Sequence, residues 1–277
     1  MAFLQINLFS KKLMRTVPVN VILPIDKLTD DNAEDKDKNF KTLYLLHGAL
    51  GNYTDWISNT RIMRLAEEND LAVVMPSGDN AFYIDQPKTN NYYGEFIGEE
   101  LVELTRRMFP LSCRREDTFI GGLSMGGYGA MRNGLKYNNT FGYIVSLSGL
   151  LLIEDIVDST NDVDSFIQRR DYVESCFGNL DKVLNSDKNP QYLIKQLKKA
   201  NNKDIPKIYM ACGTEDPMFD NNQNFSTFLK SNNVNATFEV ASGNHNWEFW
   251  DKYIENAINW LPTKNSGLGI SSGNVGL

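Results

Sequence analysis

The apolar residues of this chain fall into short runs separated by polar turns. Val17-Pro18-Val19-Asn20-Val21-Ile22-Leu23-Pro24 predicts an early strand, and Pro18, lacking a ladder N–H, places that strand at a sheet edge. Thr29 to Asn39 is a charged, Asp/Lys-rich loop. Thr42–Leu46 and Leu71–Pro76 are almost wholly apolar, the pattern of central strands buried on both faces. Asp117 to Ile120 reads as the end of another buried strand, and Tyr143–Gly149, Ile205–Gly213 and Ala236–Val240 as later ones. Glu99–Met108, Phe225–Lys230 and Trp247–Trp260 have helical spacing, and Pro262 closes the last of these. Gly127 to Arg132 can open a helix that packs closely on a sheet.

Strands alternating with helices predict an α/β fold with a mostly parallel sheet covered on both faces. Between Leu150 and Asn202 no strand pattern is visible; this polar, partly helical stretch sits where such architectures carry a cap. The expected organisation is one domain over residues 1–263, with 150–202 as a cap insertion. The Gly/Ser-rich residues 264–277 should form a loose tail.

Composition narrows the function classes. A chain of 277 residues with 42% hydrophobic content can bury a sizeable core, which excludes disorder of the whole. The net charge of −7 argues against nucleic acid or an anionic membrane surface as the main partner. No apolar segment approaches the roughly 18 residues of a membrane span. Met1 to Asn7 lack a basic region followed by a long apolar stretch, so a cytoplasmic location is expected. The three cysteines, Cys113, Cys176 and Cys212, are scattered and form neither a disulfide framework nor a C-x-x-C pair. With two histidines in the chain, no metal-ligand set is apparent, and neither metal nor cofactor is expected.

Against this background one pentapeptide stands out. Gly122-Leu123-Ser124-Met125-Gly126 matches G-x-S-x-G, the tight strand-to-helix turn that exposes a nucleophilic serine. A serine hydroxyl needs a base, and the base needs an orienting carboxylate. His245 follows the last short strand, where a loop can carry an imidazole back over the sheet edge. His47, between an apolar strand and Gly48, reads instead as a structural histidine. The carboxylate should end a strand between serine and histidine; Asp216 in Gly213-Thr214-Glu215-Asp216-Pro217 fits, with Glu215 its alternative. The order Ser124, Asp216, His245 is that of an α/β-hydrolase. The oxyanion of a tetrahedral intermediate needs two donors. One should be the N–H of Met125, and the other that of Ala49 or Leu50, in a loop that Gly48 and Gly51 let bend.

Leu45-Leu46-His47-Gly48-Ala49-Leu50-Gly51-Asn52, with Trp56 behind it, resembles the oxyanion loop of the esterase D-like α/β-hydrolases. Gly121 to Ala130, Ser146-Leu147-Ser148-Gly149, Gly213 to Asp216 and Gly243-Asn244-His245-Asn246-Trp247 also match, so the resemblance spans about Phe3 to Leu261. Bacterial tributyrin esterases look most similar. The resemblance implies Ser124, Asp216 and His245 as triad, Ala49 and Met125 as oxyanion hole, and Asn80 to Asp85 as a loop beside the acyl pocket. The sequence departs from the family at Tyr137 to Phe141, where many members have a proline, and over 150–202. The expected function is serine-esterase hydrolysis of small-molecule, short-chain acyl esters through an acyl-enzyme. The alternatives are a feruloyl or acetylxylan esterase, an S-formylglutathione hydrolase, an acyltransferase, or a catalytically silent binding protein. Trp56, Phe82, Tyr83 and Trp247 are the aromatic candidates for the substrate pocket. A homo-oligomer is left open.

Overall fold

A computed structural model describes residues 1–28, 39–201, 204–270 and 274. The charged loop expected at 29–39 lies, but for Asn39, outside the described residues, as do 271–273 and 275–277 of the expected loose tail.

The eight principal strands are β1 (Ala2–Ser10), β2 (Arg15–Leu23), β3 (Lys41–Leu46), β4 (Leu71–Pro76), β5 (Thr118–Leu123), β6 (Tyr143–Leu147), β7 (Lys207–Gly213) and β8 (Ala236–Ala241). They form one sheet in the order β1-β2-β4-β3-β5-β6-β7-β8. β2 runs antiparallel to both of its neighbours, and the remaining pairs are parallel. Alternate residues of the parallel strands feed two separate cores. Tyr44, Leu46, Ile120, Ile144 and Ile208 face one side, with Tyr128, Met131 and Leu135 of the helix Met125–Lys136. Leu43, Leu45, Phe119, Val145 and Tyr209 face the other, with Trp56 and with Ile254, Ala257 and Ile258 of the helix Trp247–Trp260. This two-faced burial explains the unbroken apolar runs in the sequence, and the architecture is the α/β-hydrolase fold.

One strand expectation needs correction. β2 is not an edge strand, because β1 lies outside it over its whole length. Pro18 is tolerated because pairing with β4 ends at Val19↔Pro76, so the absent N–H falls beyond that ladder. β1 adds a strand to those expected, with apolar and polar residues alternating from Leu4 to Leu8. Leu4, Ile6 and Leu8 turn toward the core, yet Phe3 and Phe9 on the opposite side are also apolar and stay exposed. The period of two is therefore interrupted only at the ends of the strand.

The 150–202 stretch holds no strand among its described residues. It contains the helices Arg170–Phe177 and Pro190–Lys199, the latter capped by Asn189, whose side chain accepts the Gln191 N–H at 3.0 Å. Residues 264–270 follow the body of the protein: Ser266 N–H donates to Glu68 O and Ile270 N–H to Leu28 O, both at 2.8 Å. Among the described residues no helix is long and apolar enough to cross a membrane.

Arg132, on the helix after β5, is fully buried. Its guanidinium donates to Asn133 Oδ1 at 2.8 Å and to Asp187 O at 3.1 Å, pairs with the Asp187 carboxylate, and lies 3.5 Å from Asp85. It ties the helix behind the sheet to the irregular stretch. Lys136 also reaches both carboxylates and would soften its loss. Arg132→Met should therefore destabilise the fold by about 3 kcal/mol, the lower end of the cost of breaking a buried pair. Urea unfolding measures this; a change within about 0.5 kcal/mol would show that the pairing is not structural.

Candidate active site

The turn between β5 and the helix Met125–Lys136 is set by contact between backbones. A Cβ on Gly126 would sit 2.5 Å from Leu46 O and 2.6 Å from His47 O; one on Gly122 would sit 2.5 Å from the Gly126 carbonyl. No side chain fits at either position. Ser124 is left between them at φ 51°, ψ −118°, a conformation that non-glycine residues rarely adopt. Its N–H donates to Leu147 O on β6 at 2.8 Å, which anchors the tip to the sheet.

His245 reaches this tip from the loop after β8. Gly243, at φ +156°, lets that loop pack on β7, where a Cβ on Gly213 would lie 2.1 Å from Gly243 O. Glu215 holds the turn from outside by accepting the Gly243 N–H at 2.5 Å, and its own N–H donates to Gly243 O at 3.1 Å. Glu215 is therefore occupied with the loop. Asp216, one residue on, turns inward.

The three side chains meet in line. His245 Nε2 is 3.0 Å from Ser124 Oγ, and His245 Nδ1 is 3.0 Å from each Asp216 carboxylate oxygen. The Asp216 carboxylate also accepts the Met218 N–H at 2.7 Å. Burial alone would raise the Asp216 carboxyl. Hydrogen bonds from His245, Ser148 and the Met218 N–H outweigh it and hold the acid below the usual carboxylate range. An ionised carboxylate only accepts, so the proton sits on Nδ1 and the Nε2 lone pair faces the serine hydroxyl. Two further residues support this line, Ser148 from a stretch that matches the family and Trp250 with no sequence signal of its own. Trp250 Nε1–H donates to Ser148 Oγ at 3.1 Å, and the Trp250 ring stands edge-on to His245 with centroids 4.9 Å apart. Ser148 ends the strand next to the elbow, and Trp250 lies one helical turn after Trp247.

Met125 begins its helix, so its N–H has no acceptor within the helix. It lines a cavity of about 550 Å³ together with Ala49, Ser124 and His245. Leu50 is different: it is 73% exposed, at φ +67°, and its N–H donates to Asn80 Oδ1 at 2.7 Å. Of the two residues considered beside Met125, Ala49 is the one at the cavity. The opposite wall comes from the irregular stretch, with Ile156, Val163, Ile167 and Val173, and from Pro217 and Met218 after β7.

Of the four aromatic residues expected at the substrate, only Phe82 lines this cavity. Trp56 is buried, and its Nε1–H donates to Leu46 O at 3.0 Å. Trp247 packs edge-on against Trp56, away from the cavity. Tyr83 is buried, with its hydroxyl donating to His47 O at 2.9 Å. The polar ends of Trp56 and Tyr83 are held by carbonyls at the end of β3, which turns both rings into the core.

His47 serves the scaffold. It is buried, its Nδ1–H donates to Gly48 O at 2.7 Å, and its Nε2 accepts the Gly78 N–H at 2.8 Å. Burial holds its pKa below the ordinary 6.5, against the raising effect of the Gly48 carbonyl. Below pH 6.5 the unfolded chain therefore binds a proton that the folded chain refuses. Stability should fall as pH drops from 6.5 toward the depressed value. The difference in unfolding free energy between the wild type and His47→Asn should carry this slope. A difference that is flat with pH would contradict a neutral, buried His47.

Comparison with known proteins places this site in a family. A family model described as "Putative esterase" matches residues 10–261. An acetyl esterase of Caldicellulosiruptor saccharolyticus is 45% identical over 262 residues, covering 94% of this chain and 98% of that protein. Two solved Staphylococcus aureus structures are similar over 94% of this chain and 98% of theirs. One is the fluorophosphonate-binding serine hydrolase FphF with substrate bound, at 33% identity and TM-score 0.82. The other is the S-formylglutathione hydrolase FrmB as apoenzyme, at 32% identity and TM-score 0.79. The chain belongs to this esterase family and is a carboxylic-ester hydrolase with the α/β-hydrolase fold.

Proposed function

We propose that this esterase cleaves short-chain acyl esters, acetyl to butyryl, with Ser124 as nucleophile, His245 as base and Asp216 as its orienting acid. The observation that carries the reading is the unbroken line from Ser124 Oγ through the imidazole to the buried Asp216 carboxylate, each step 3.0 Å. In this reading His245 Nε2 takes the hydroxyl proton as Oγ attacks the ester carbonyl. The Met125 and Ala49 N–H groups receive the oxyanion. The imidazolium then gives its proton to the leaving alcohol, and an acyl-Ser124 remains. Water, deprotonated by the same nitrogen, releases the acid and restores the serine.

The acyl preference rests on the cavity walls. Phe82, Ile156 and Val173 line the same cavity as Ser124, which also has to hold the alcohol. The similarity to an acetyl esterase supports the short end of the range. Among the described residues that line the cavity, the ionisable side chains other than His245 are Asp155 and Asp158, both acidic. That favours neutral esters over a glutathione thioester, whose leaving group carries two carboxylates. A cytoplasmic, reducing location belongs to the same reading; the three cysteines are free, and Cys176 and Cys212 are buried.

The triad roles separate by mutation. Ser124→Ala and His245→Asn should each lower kcat by about 10⁴–10⁶. Asp216→Asn should cost about 10⁴ because the imidazole loses its tautomer. Glu215→Gln and His47→Asn should each keep activity within about tenfold of the wild type. A larger loss with Glu215→Gln than with Asp216→Asn would reassign the acid.

The acyl range is tested by kcat/KM along p-nitrophenyl esters from acetyl to dodecanoyl, with methyl ferulate and S-formylglutathione alongside. Each methylene that fits adds about 0.8 kcal/mol, and the first that does not costs about 1–3 kcal/mol. The series should peak by butyryl and then break. A maximum at octanoyl or longer, or ferulate or S-formylglutathione exceeding butyrate by about tenfold, would overturn the short-chain reading.

A further inference from the structure

The loop 79–84 packs against the helix Arg170–Phe177, both reach the cavity, through Phe82 and Val173, and the loop's backbone is held in unusual conformations. Asp79, Phe82 and Tyr83 have φ of 47°, 53° and 55°, and Leu50 across from them has φ of 67°. None is glycine, so the surroundings must hold each in place. Asn80 is where those restraints meet. Its side-chain Oδ1 accepts the Leu50 N–H at 2.7 Å. Its backbone carbonyl accepts the Tyr172 hydroxyl at 2.6 Å and the Cys176 thiol at 3.3 Å. Tyr172 and Cys176 both belong to the helix Arg170–Phe177.

We infer that Asn80 is a positioning residue for catalysis: through Leu50 it sets the oxyanion loop, and through Tyr172 and Cys176 it couples that loop to the stretch that walls the cavity. The inference rests on Ala49 and Met125 being the oxyanion donors. The physical reason is local. Leu50 N–H and Ala49 C=O belong to one peptide plane, so fixing the Leu50 N–H fixes the plane that follows Ala49. The same bond takes the Leu50 N–H out of competition for the oxyanion and leaves Ala49 as the donor at the cavity. A loop free to turn about Leu50 would present Ala49 in several directions, and donors preorganised for the transition state lose their effect with displacements near 1 Å.

The test separates positioning from folding. A trifluoromethyl ketone with a short alkyl chain forms a hemiketal on Ser124 and so reports on the oxyanion donors without turnover. Asn80→Ala should lower kcat about 10–100-fold, leave KM within about threefold, and weaken the ketone by the same factor as kcat. Tyr172→Phe keeps its ring against Phe82 and Phe166 and removes only the hydroxyl. It should lower kcat about 3–10-fold in the wild type and have no effect on kcat in Asn80→Ala, because the link to Leu50 is already cut. Wild-type kcat and ketone affinity in Asn80→Ala, or independent multiplicative effects of the two changes, would overturn the coupling while leaving the esterase reading intact. If Asn80→Ala does not fold, Tyr172→Phe decides alone: unchanged kcat and ketone affinity would overturn the inference. Ketone binding that survives Ser124→Ala would instead remove the catalytic reading beneath it.

Discussion

The close approach of the elbow helix to the end of β3 is the constraint from which the rest of the site follows. With no Cβ at Gly122 or Gly126, the backbone after β5 rests directly on the Leu46 and His47 carbonyls. That contact forces the sharp turn, and the turn holds Ser124 in its strained conformation with the hydroxyl outward. It also brings the first N–H of the helix beside the loop that begins at His47, so the proposed nucleophile and the proposed oxyanion donors are placed by one backbone contact. Side chains with rotamer freedom play no part in that placement. The strain at Ser124 persists because the backbone contact is fixed and the Ser124 N–H is tied to Leu147 O.

Parallel strands then do the remaining work. β3, β5, β6, β7 and β8 all end on the same side of the sheet, so loops distant in sequence converge within a few strand spacings of about 4.8 Å. Asp216 and His245 come from the last two of these ends, and Ser148 and Trp250 fill the space beneath them. Burial would push the Asp216 proton on; the donors around it keep it off. The carboxylate can therefore steady an imidazolium during reaction without competing for its proton.

The site was legible wherever the chemistry is local in sequence. G-x-S-x-G can be read because sterics demand both glycines within five residues. Asp216 and His245 could be placed because each sits just past an apolar strand, and Asp216 is separated from Glu215 by which carboxylate faces inward. The cavity wall was not legible. Ile156 and Ile167 sit on single-turn 3₁₀ segments and Val163 on the chain between them, too short for a period to show, and their role depends on where the helix Arg170–Phe177 packs. Trp56, Tyr83 and Trp247 show the opposite failure. They lie near the motifs in sequence, but the carbonyls that hold Trp56 and Tyr83 turn those rings inward, and Trp247 packs behind Trp56. Pro18 points to an edge in the sequence because only the structure shows that its missing N–H falls past the end of a ladder.

The central claim is that ester cleavage passes through a covalent acyl group on Ser124. It is tested most directly by acid-quenching the enzyme during turnover of p-nitrophenyl acetate and mapping the acetyl group by peptide mass spectrometry. The account predicts a single acetylated peptide, with the group on Ser124, which accumulates during the burst and disappears once substrate is exhausted. Acetyl on Ser146 or Ser148, or rapid turnover with no acylated serine at any quench time, would contradict it.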